Sequence, residues 1–156
     1  MEKKTNGERK VAGFYTWAGI AVILVLTLDY VSKYFVIKYV PEIEFLPFAS
    51  LTYTENVGAA WSLAIDPRLL VILSFIILIF VNHFYLRDLN LDKTMTRVSY
   101  GLIVGGALGN MIDRMMFGHV VDYISIGWWP VFNLADTFIV IGIFLLILFY
   151  GKIKRV

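Results

Sequence analysis

The sequence predicts an all-α membrane protein with a small β element, in which four transmembrane helices form a bundle. The prediction depends first on composition: 59% of the 156 residues are apolar and 17% are charged. Soluble domains have roughly 45–50% apolar and about 25% charged residues. It depends next on four apolar runs that are each long enough to cross a bilayer. It depends finally on the basic residues, which gather in three segments of the chain.

The same composition excludes several classes of protein. A short chain buries only part of its surface, so this many apolar residues do not fit one water-surrounded core. A net charge of +2 provides no basic stripe for phosphates, and no nucleic-acid partner is expected. The chain has no cysteine, which excludes disulfides, thiolate metal sites and a cysteine nucleophile. We expect neither a metal nor another cofactor.

The four apolar runs supply the helices of a single integral membrane domain, residues 1–156. Each run gives about 20 helical residues at a rise of ~1.5 Å, which matches a hydrocarbon layer of ~30 Å. Backbone groups in lipid have no water to bind, so helices rather than open strands are expected. A cleaved signal peptide is the alternative for the first run, which is longer than a typical signal sequence. The predicted helices cover about 12–39, 67–87, 94–114 and 134–151.

The distribution of basic residues predicts the orientation. The N-terminal tail, the 87–97 connection and the C-terminus together hold 10 of the 14 Lys and Arg residues. An even number of spans places these segments on one side, and the positive-inside rule makes that side cytoplasmic. The 41–68 and 113–136 connections then lie on the outer side. We therefore predict a multi-pass protein with both termini in the cytoplasm.

The outer connection over about 41–66 is predicted to be rich in β structure. It mixes β-branched and aromatic residues with the turn formers Pro47, Asn56 and Gly58, a pattern typical of short strands. Aromatic side chains are enriched at membrane surfaces, so a small sheet on the outer membrane surface is expected. The stretches concerned are 45–48, 51–54 and 59–62.

Three glycines of the third run lie on one face of the predicted helix and leave that face without side chains. Gly101, Gly105 and Gly109 are spaced four residues apart. Small residues at this spacing let helices approach closely in membranes. We expect tight helix packing here rather than a ligand contact.

Polar residues in five segments do not fit an apolar chain. Ionisable side chains in or beside membrane helices are costly, so each is a candidate functional residue. In the predicted topology all five segments meet at the outer interface. The candidates are Asp29 and Lys33; Asn56 and Gly58; Asn110, Asp113 and Arg114; Asp122; and Asn133 and Asp136.

Two of these segments have a simple structural alternative. Asp29 and Lys33 are four residues apart, so they can form an ion pair along one helix. Asp113 and Arg114 can anchor a helix end at the membrane interface. Both alternatives stay open at the level of the sequence.

The last two segments contain the remaining acids. Asn133 has the position of the N-cap of the fourth helix, and Asp136 has that of the capping-box acid three residues later. Asp122 lies between Val121 and Tyr123, and its own segment offers no partner for a carboxylate. Asp122 therefore has the weakest structural explanation.

A pair of carboxylates is the chemistry that these residues favour. The sequence has no GxSxG motif, and Ser32 and Lys33 are adjacent, so they do not face each other as nucleophile and base. Two carboxylates within hydrogen-bond reach share a proton near neutral pH. The charged one can take a proton from water while the neutral one polarises a carbonyl, which hydrolyses an amide without a cofactor. Charge alone does not choose between Asp113 and Asp122.

Five segments, in order from residue 29 to residue 136, resemble the motif regions of the bacterial prolipoprotein signal peptidases, also called signal peptidase II. The departures are small: Trp61 stands where Phe or Trp is usual, and Tyr123 stands where Phe is common. The segments are Asp29-Tyr-Val-Ser-Lys33, Asn56-Val-Gly-Ala-Ala-Trp61, Gly105-Gly-Ala-Leu-Gly-Asn-Met-Ile-Asp-Arg114, Gly118-His-Val-Val-Asp-Tyr-Ile124 and Phe132-Asn-Leu-Ala-Asp136.

The resemblance implies a four-helix bundle with a short extracytoplasmic β-cradle, acting as an aspartyl endopeptidase in the bacterial plasma (inner) membrane. It implies removal of the signal peptide from diacylglyceryl-modified prolipoproteins, just before the lipidated cysteine. The catalytic pair maps to Asp122 and Asp136. The supporting residues map to Asp29, Lys33, Asn56, Gly58, Asn110, Asp113, Arg114, Asn133 and Ala135.

Two other functions stay open. A small four-span proton- or ion-conducting protein would use its acids as a relay, but a relay needs acids through the membrane depth, whereas these gather at one level. A purely structural assembly factor would tolerate substitution in all five segments. As a peptidase, the chain is expected to act as a monomer, with lipid-modified prolipoproteins and membrane lipids as its partners.

Overall fold

A computed structural model describes residues 5–40, 42–58 and 65–155, except for the side chain of Glu42. It is mostly helical with a small antiparallel sheet, which confirms the predicted class in outline. The predicted β stretch at 59–62 lies outside the described residues. The elements are α1 Asn6–Tyr39, β1 Glu42–Leu46, β2 Ala49–Asn56, α2 Pro67–Asp88, α3 Thr94–Phe117, β3 Val120–Ile126, β4 Trp129–Phe132 and α4 Leu134–Ile153.

Within the described chain, three helices are long and apolar enough to cross a membrane: α1, α2 and α4. The third helix, α3, has 24 residues and is the most enclosed, since it packs against the other three. Its buried positions run from Thr96 to Asp113. Helix surfaces that pack against other membrane helices are rich in small residues such as Gly and Ser rather than in large apolar ones. The count of four spans stays a prediction.

Local signals define the ends of two helices. Helix α1 begins at Asn6 rather than near residue 12, because Thr5 and Glu8 form a capping box. The backbone N–H of Thr5 donates to Glu8 Oε2 at 2.6 Å, and that of Glu8 donates to Thr5 Oγ1 at 3.3 Å. Helix α3 ends at Phe117, and its C-cap is Gly118, whose φ of 78° is left-handed and is adopted without strain by glycine.

The glycine stripe of α3 lies where helices touch. A Cβ at Gly101 would collide with Ala21 of α1, and Gly105 packs against the same helix. A Cβ at Gly109 would lie 2.7 Å from Asp29 Oδ2. The predicted close packing is confirmed, and it brings the polar end of α1 directly against α3.

The sheet has the strand order β1-β2-β3-β4, and all neighbours are antiparallel. Strands β3 and β4 lie in the 113–136 connection, for which the sequence predicts no strands. The central β2–β3 pair places Thr54 opposite Asp122. Val121 and Tyr123 of β3 pack with Val36 near the end of α1, so the sheet is fixed to the end of the bundle that carries the polar residues.

Candidate active site

The structure joins all the predicted site residues into one network of direct contacts. They come from α1, from β2 and the residues after it, from α3, from β3 and from the start of α4. The network contains Asp29, Lys33, Asn56, Gly58, Asn110, Asp113, Arg114, Asp122, Asn133, Ala135 and Asp136.

Asp122 is buried in β3. One carboxyl oxygen, Oδ2, accepts a hydrogen bond from Asn56 Nδ2 at 2.8 Å. The other, Oδ1, accepts from Asn133 Nδ2 at 2.8 Å. Both partners are neutral amides from other elements. The carboxyl group therefore has hydrogen-bond partners, although its own segment offers none.

Asp136 lies in the first turn of α4, where it closes the predicted capping box. Its backbone N–H donates to Asn133 Oδ1 at 2.9 Å, and its Oδ2 accepts from the backbone N–H of Asn133 at 3.3 Å. Its second oxygen, Oδ1, accepts from Asn110 Nδ2 of α3 at 2.7 Å. The cap is therefore confirmed, and the carboxylate also has a partner outside its own helix.

Asn133 links the two acids. Its oxygen caps α4, which leaves its Nδ2 to donate toward Asp122, toward Asn110 Oδ1 at 2.9 Å and toward Val121 O at 3.3 Å. The side chain is fully buried. Because the cap requires an acceptor, the orientation of this amide is determined by the helix end.

Lys33 is the centre of a buried charge cluster. Its Nζ lies 2.7 Å from Asp29 Oδ2, 2.8 Å from Asp113 Oδ2 and 3.3 Å from Asn110 Oδ1. Lys33 and Asp29 are only 4% and 2% exposed. The local ion pair exists, but it is part of a contact between α1 and α3. Asp29 Oδ1 also accepts the backbone N–H of Ala135 at 3.0 Å, which holds the start of α4.

Arg114 reaches from α3 to the residues after β2. Its guanidinium donates to Gly58 O at 3.3 Å and to Asn110 O at 3.4 Å. The Nε atom is buried and has no hydrogen-bond partner in the described part of the chain. Gly58 N–H donates in turn to Asn56 Oδ1 at 3.0 Å, so the amide of Asn56 points its nitrogen at Asp122.

A cavity of about 450 Å³ contains both acids in its wall. The polar part of the wall is formed by the two acids with Asn56, Asn110 and Arg114. The rest of the wall is mostly apolar and comes from β3, β4 and α4. These residues are Val120, Trp129, Pro130, Val131, Phe132, Thr137, Val140 and Ile141.

The electrostatic environment makes Asp122 titrate near neutrality. Burial raises the pKa of Asp122 to about 6. The hydrogen bond from Asn56 acts in the opposite direction, and the nearby charge of Asp136 raises the pKa further. A carboxyl group with such a pKa can hold or release a proton under physiological conditions.

Residues 21–151 match the family model described as Signal peptidase (SPase) II. The chain belongs to the signal peptidase II family. It is 39% identical over 142 residues to the lipoprotein signal peptidase of Halothermothrix orenii, covering 88% of this chain and 97% of that protein. It is 42% identical over 132 residues to that of Moorella thermoacetica, covering 81% and 87%. The resemblance stated from the motifs is thus confirmed.

Two solved structures of bacterial membrane enzymes share the fold of this signal peptidase II chain. One has a TM-score of 0.76 at 33% identity, covering 86% of this chain and 87% of that one. The other has a TM-score of 0.73 at 34% identity, covering 84% and 90%. Together with the apolar helices, these matches identify an integral membrane protein. The roles of individual site residues stay predictions.

One contact beside this signal peptidase II site is not predicted from the sequence. The hydroxyl of Tyr123 donates to Ser32 Oγ at 2.7 Å, and Ser32 Oγ donates to Asp29 O at 2.8 Å. This chain connects β3, beside Asp122, to α1. The signal that could have found it is the tyrosine itself, since it adds a hydroxyl where phenylalanine is common.

Proposed function

We propose that this chain is an aspartyl endopeptidase that removes the signal peptide from diacylglyceryl-modified prolipoproteins, just before the lipidated cysteine. The single observation that carries the proposal is the shared position of Asp122 and Asp136. Both line one cavity, and one buried amide, Asn133, contacts both residues. Family membership supports the substrate class, since the relatives in Halothermothrix orenii and Moorella thermoacetica are lipoprotein signal peptidases.

In this mechanism Asp122 holds the proton and Asp136 acts as the base. Asp136 takes a proton from water, the water oxygen attacks the scissile carbonyl carbon, and Asp122 gives its proton to the carbonyl oxygen. The tetrahedral intermediate then returns one hydroxyl proton to Asp122 as the C–N bond breaks. Asp136 gives its proton to the leaving nitrogen. The products are a signal peptide with a new carboxyl end and a lipidated cysteine with a free amine.

The assignment of the resting proton to Asp122 is supported by its surroundings. Burial raises the pKa of Asp122 to about 6, so its neutral form is accessible at working pH. Asp136 accepts hydrogen bonds from Asn110 Nδ2 and from the backbone N–H of Asn133, which hold in position the carboxylate that acts as the base.

The remaining site residues position the pair and the substrate. The Lys33 cluster holds Asn110, because a lysine only donates and therefore selects the oxygen of that amide. The nitrogen of Asn110 is then directed at Asp136. Arg114, which also lines the cavity, has the donors to bind a substrate carbonyl.

We also propose a four-span topology with both termini in the cytoplasm and the site near the outer face of the bacterial inner membrane. The enclosed position of α3 supports a fourth span, because its lower apolarity follows from burial among helices rather than from exposure to water. We propose a monomer, since the network that joins the acids is completed within one chain.

The test is cleavage of a purified diacylglyceryl-modified pro-protein by Asp122→Asn and Asp136→Asn in bilayers. Each variant is expected to lose cleavage while remaining membrane-inserted and folded. Asp92→Asn is the matched control, because Asp92 is an exposed acid that pairs with Lys10 at 3.0 Å. Full cleavage by either active-site variant would contradict the mechanism.

The arrangement of acids disfavours the ion-conducting alternative. Asp29, Asp113 and Asp122 are buried and are joined with Asp136 by one contact network, so they gather at one end of the bundle. Acid-dependent ion flux in proteoliposomes without peptide cleavage would favour the alternative.

A further inference from the structure

The end of the bundle that lies opposite the catalytic cavity is closed by a short backbone pairing. Helix α4 begins at Leu134 beside the acids and ends at Ile153, about 30 Å away at a rise of ~1.5 Å per residue. Residues 153–155 there run antiparallel to residues 88–90 at the end of α2, and Leu89 and Lys154 are bridge partners. We call residues 88–90 and 153–155 the clasp.

The clasp is held from both its backbone and its core side. The backbone N–H of Asn90 donates to Ile153 O at 2.7 Å, and that of Arg155 donates to Asp88 O at 2.8 Å. Leu89 and Ile153 are 0% and 2% exposed and belong to the main apolar cluster of the bundle. Side chains carried by the clasp therefore start from a fixed backbone.

The clasp and the turns that lead into it carry a concentrated positive charge. The Arg155 guanidinium donates to Arg87 O at 3.3 Å, which brings the two ends of the clasp together. Among the residues that the structure describes, no acid forms an ion pair with the basic side chains of this group. Four basic residues and one acid are exposed here: Arg87, Lys152, Lys154, Arg155 and Asp88.

Helix ends account for only part of this charge. The C-terminal end of a helix has a partial negative charge of about half an elementary charge, which favours a nearby cation. Two such ends meet at the clasp, those of α2 and α4, so about one positive charge balances both. Four basic residues against one acid exceed that amount. The excess fits an anionic ligand.

The surface beside the clasp indicates which kind of anion fits. Both α2 and α4 are long and apolar enough to cross a membrane, and Ile147 and Leu148 in the last turns of α4 are 71% and 60% exposed. Lys152 Nζ lies 5.7 Å from the centroid of the Phe149 ring, so this ammonium group turns back toward the apolar part of the helix. A ligand that contacts both surfaces needs a phosphate group attached to acyl chains.

We propose that the clasp binds the headgroup of an anionic phospholipid, with its phosphate between Arg87 and Arg155. Basic pockets between membrane helices bind such headgroups, and a guanidinium group matches two phosphate oxygens at once. Arg155 has five N–H groups, and its bond to Arg87 O uses one of them. This site lies outside the catalytic cavity, and the inference does not rest on the proposed function.

The test is native mass spectrometry of the full chain in detergent, titrated with phosphatidylglycerol and, separately, with phosphatidylcholine. One phosphatidylglycerol is expected to bind more tightly than phosphatidylcholine. Arg87→Gln combined with Arg155→Gln is expected to weaken that binding by roughly fivefold for each charge removed. Lys93→Gln is the matched control, because Lys93 is an exposed basic residue outside the clasp, and it should keep wild-type affinity.

Equal losses in the control and in the double variant would overturn the proposal, because they would show diffuse attraction rather than a site. Equal affinity for the two lipids would overturn the role of charge. Glycerol 3-phosphate provides the headgroup phosphate without acyl chains. If it displaces phosphatidylglycerol at equal concentration, the occupant is a soluble anion and the lipid assignment is wrong.

A variant that gains affinity keeps the proposal testable if the double variant does not fold. Asp88→Asn removes the exposed acid of the clasp, so phosphatidylglycerol is expected to bind several-fold more tightly. Unchanged or weaker binding in Asp88→Asn would overturn the proposal, and thermal melts check that each variant is folded. Peptide cleavage is not part of any of these measurements, so a failure of the proposed function would leave the result unaffected.

Discussion

Asn133 donates a hydrogen bond of 2.8 Å to the carboxylate of Asp122 with the same amide whose oxygen caps helix α4. A residue that begins a helix thus also holds an acid on a strand. The cap determines which way the amide points, so the donor to Asp122 is positioned before any substrate arrives. Preorganised donors of this kind contribute strongly to catalysis.

Substitution of Asn133 separates these two tasks. Asn133→Ser retains an N-cap oxygen but loses the donor to Asp122, so kcat is expected to fall by roughly 10²-fold with little change in thermal stability. Asn133→Ala loses both and should also destabilise the protein by about 1 kcal/mol. Cleavage rates and thermal melts in detergent measure the two effects. Wild-type kcat in Asn133→Ser would contradict a positioning role.

The pH dependence of cleavage follows from Asp122. Burial raises the pKa of Asp122 to about 6, and the proposed mechanism needs its protonated form. Activity is therefore expected to fall as the pH rises through about 6, because Asp122 loses its proton in that range. A profile of kcat/KM between pH 4 and 9, with about one point per half unit, measures the pH at which activity falls. We call this part of the profile the falling limb.

Removing the hydrogen bond from Asn56 tests whether Asp122 determines the pH at which activity falls. Its hydrogen bond at 2.8 Å favours the ionised form of Asp122, so removing it raises the pKa. Asn56→Leu is expected to lower activity and to move the falling limb to higher pH. Tyr53→Phe, on the exposed part of the same strand, should leave the limb unchanged. A limb that moves to lower pH in Asn56→Leu would contradict the assignment.

The cap at Asn133 and Asp136 could be predicted from the sequence because a capping box is local. The partners of Asp122 could not, since Asn56 is 66 residues away and meets it only through the register of β2 and β3. Charge alone left Asp113 and Asp122 equivalent. The structure separates them: Asp113 pairs with Lys33 at 2.8 Å, whereas Asp122 has neutral partners and lines the described cavity with Asp136.

The pairing of β3 with β2 could not be predicted for a related reason, since β2 lies in another connection and periodicity does not report contacts that are distant in sequence. The hairpin of β3 and β4 is local, because a two-residue turn joins Ile126 to Trp129. Val120–Ile126 is rich in β-branched residues and is followed by the turn former Gly127, so residues 120–132 do carry a hairpin signal in the sequence.

Lys33 is expected to be essential for stability. Lys33→Met leaves Asp29 and Asp113 buried without their shared cation, and breaking a buried pair costs about 3–5 kcal/mol. The free energy of unfolding in mixed micelles measures the loss. Lys10→Met is the matched control, because its pair with Asp92 is exposed and surface pairs contribute roughly 0–1 kcal/mol.

A compensating variant tests the charge argument for Lys33. Asp29→Asn and Asp113→Asn in the Lys33→Met background remove the unpaired charges, so part of the stability should return. Cleavage should not return, because Asn110 no longer receives the donor that orients it. Equal stability of the single and the triple variant would show that lost packing, rather than charge, causes the defect.

Gly109 is expected to tolerate no side chain. A Cβ at this position would lie 2.7 Å from Asp29 Oδ2, and that carboxylate is held by Lys33 and Ala135. Gly109→Ala should therefore cost about 1–3 kcal/mol and reduce cleavage. Gly19→Ala, which has open space around its Cβ, should instead be neutral or stabilise the protein by up to about 1 kcal/mol, because Ala is the better helix former. Equal effects of the two variants would contradict the packing argument.

The contact between Tyr123 and Ser32 is expected to couple β3 to α1. The hydroxyl of Tyr123 donates to Ser32 at 2.7 Å, and Ser32 donates to the backbone oxygen of Asp29 at 2.8 Å. Tyr123→Phe and Ser32→Ala should each cost about 0.5–1.5 kcal/mol. Because Asp122 is adjacent to Tyr123 on the strand, kcat should fall while KM for the lipidated pro-protein stays near its wild-type value.

A double-mutant cycle measures this coupling directly. If the two hydroxyls act through one hydrogen bond, the double variant should lose little more stability than either single variant. Tyr53→Phe is the control, since its hydroxyl contacts the exposed Glu55 at 2.8 Å on the same sheet. Additive losses, or an equal fall in kcat for Tyr53→Phe, would mean that the Tyr123 hydroxyl does not hold Asp122 in place.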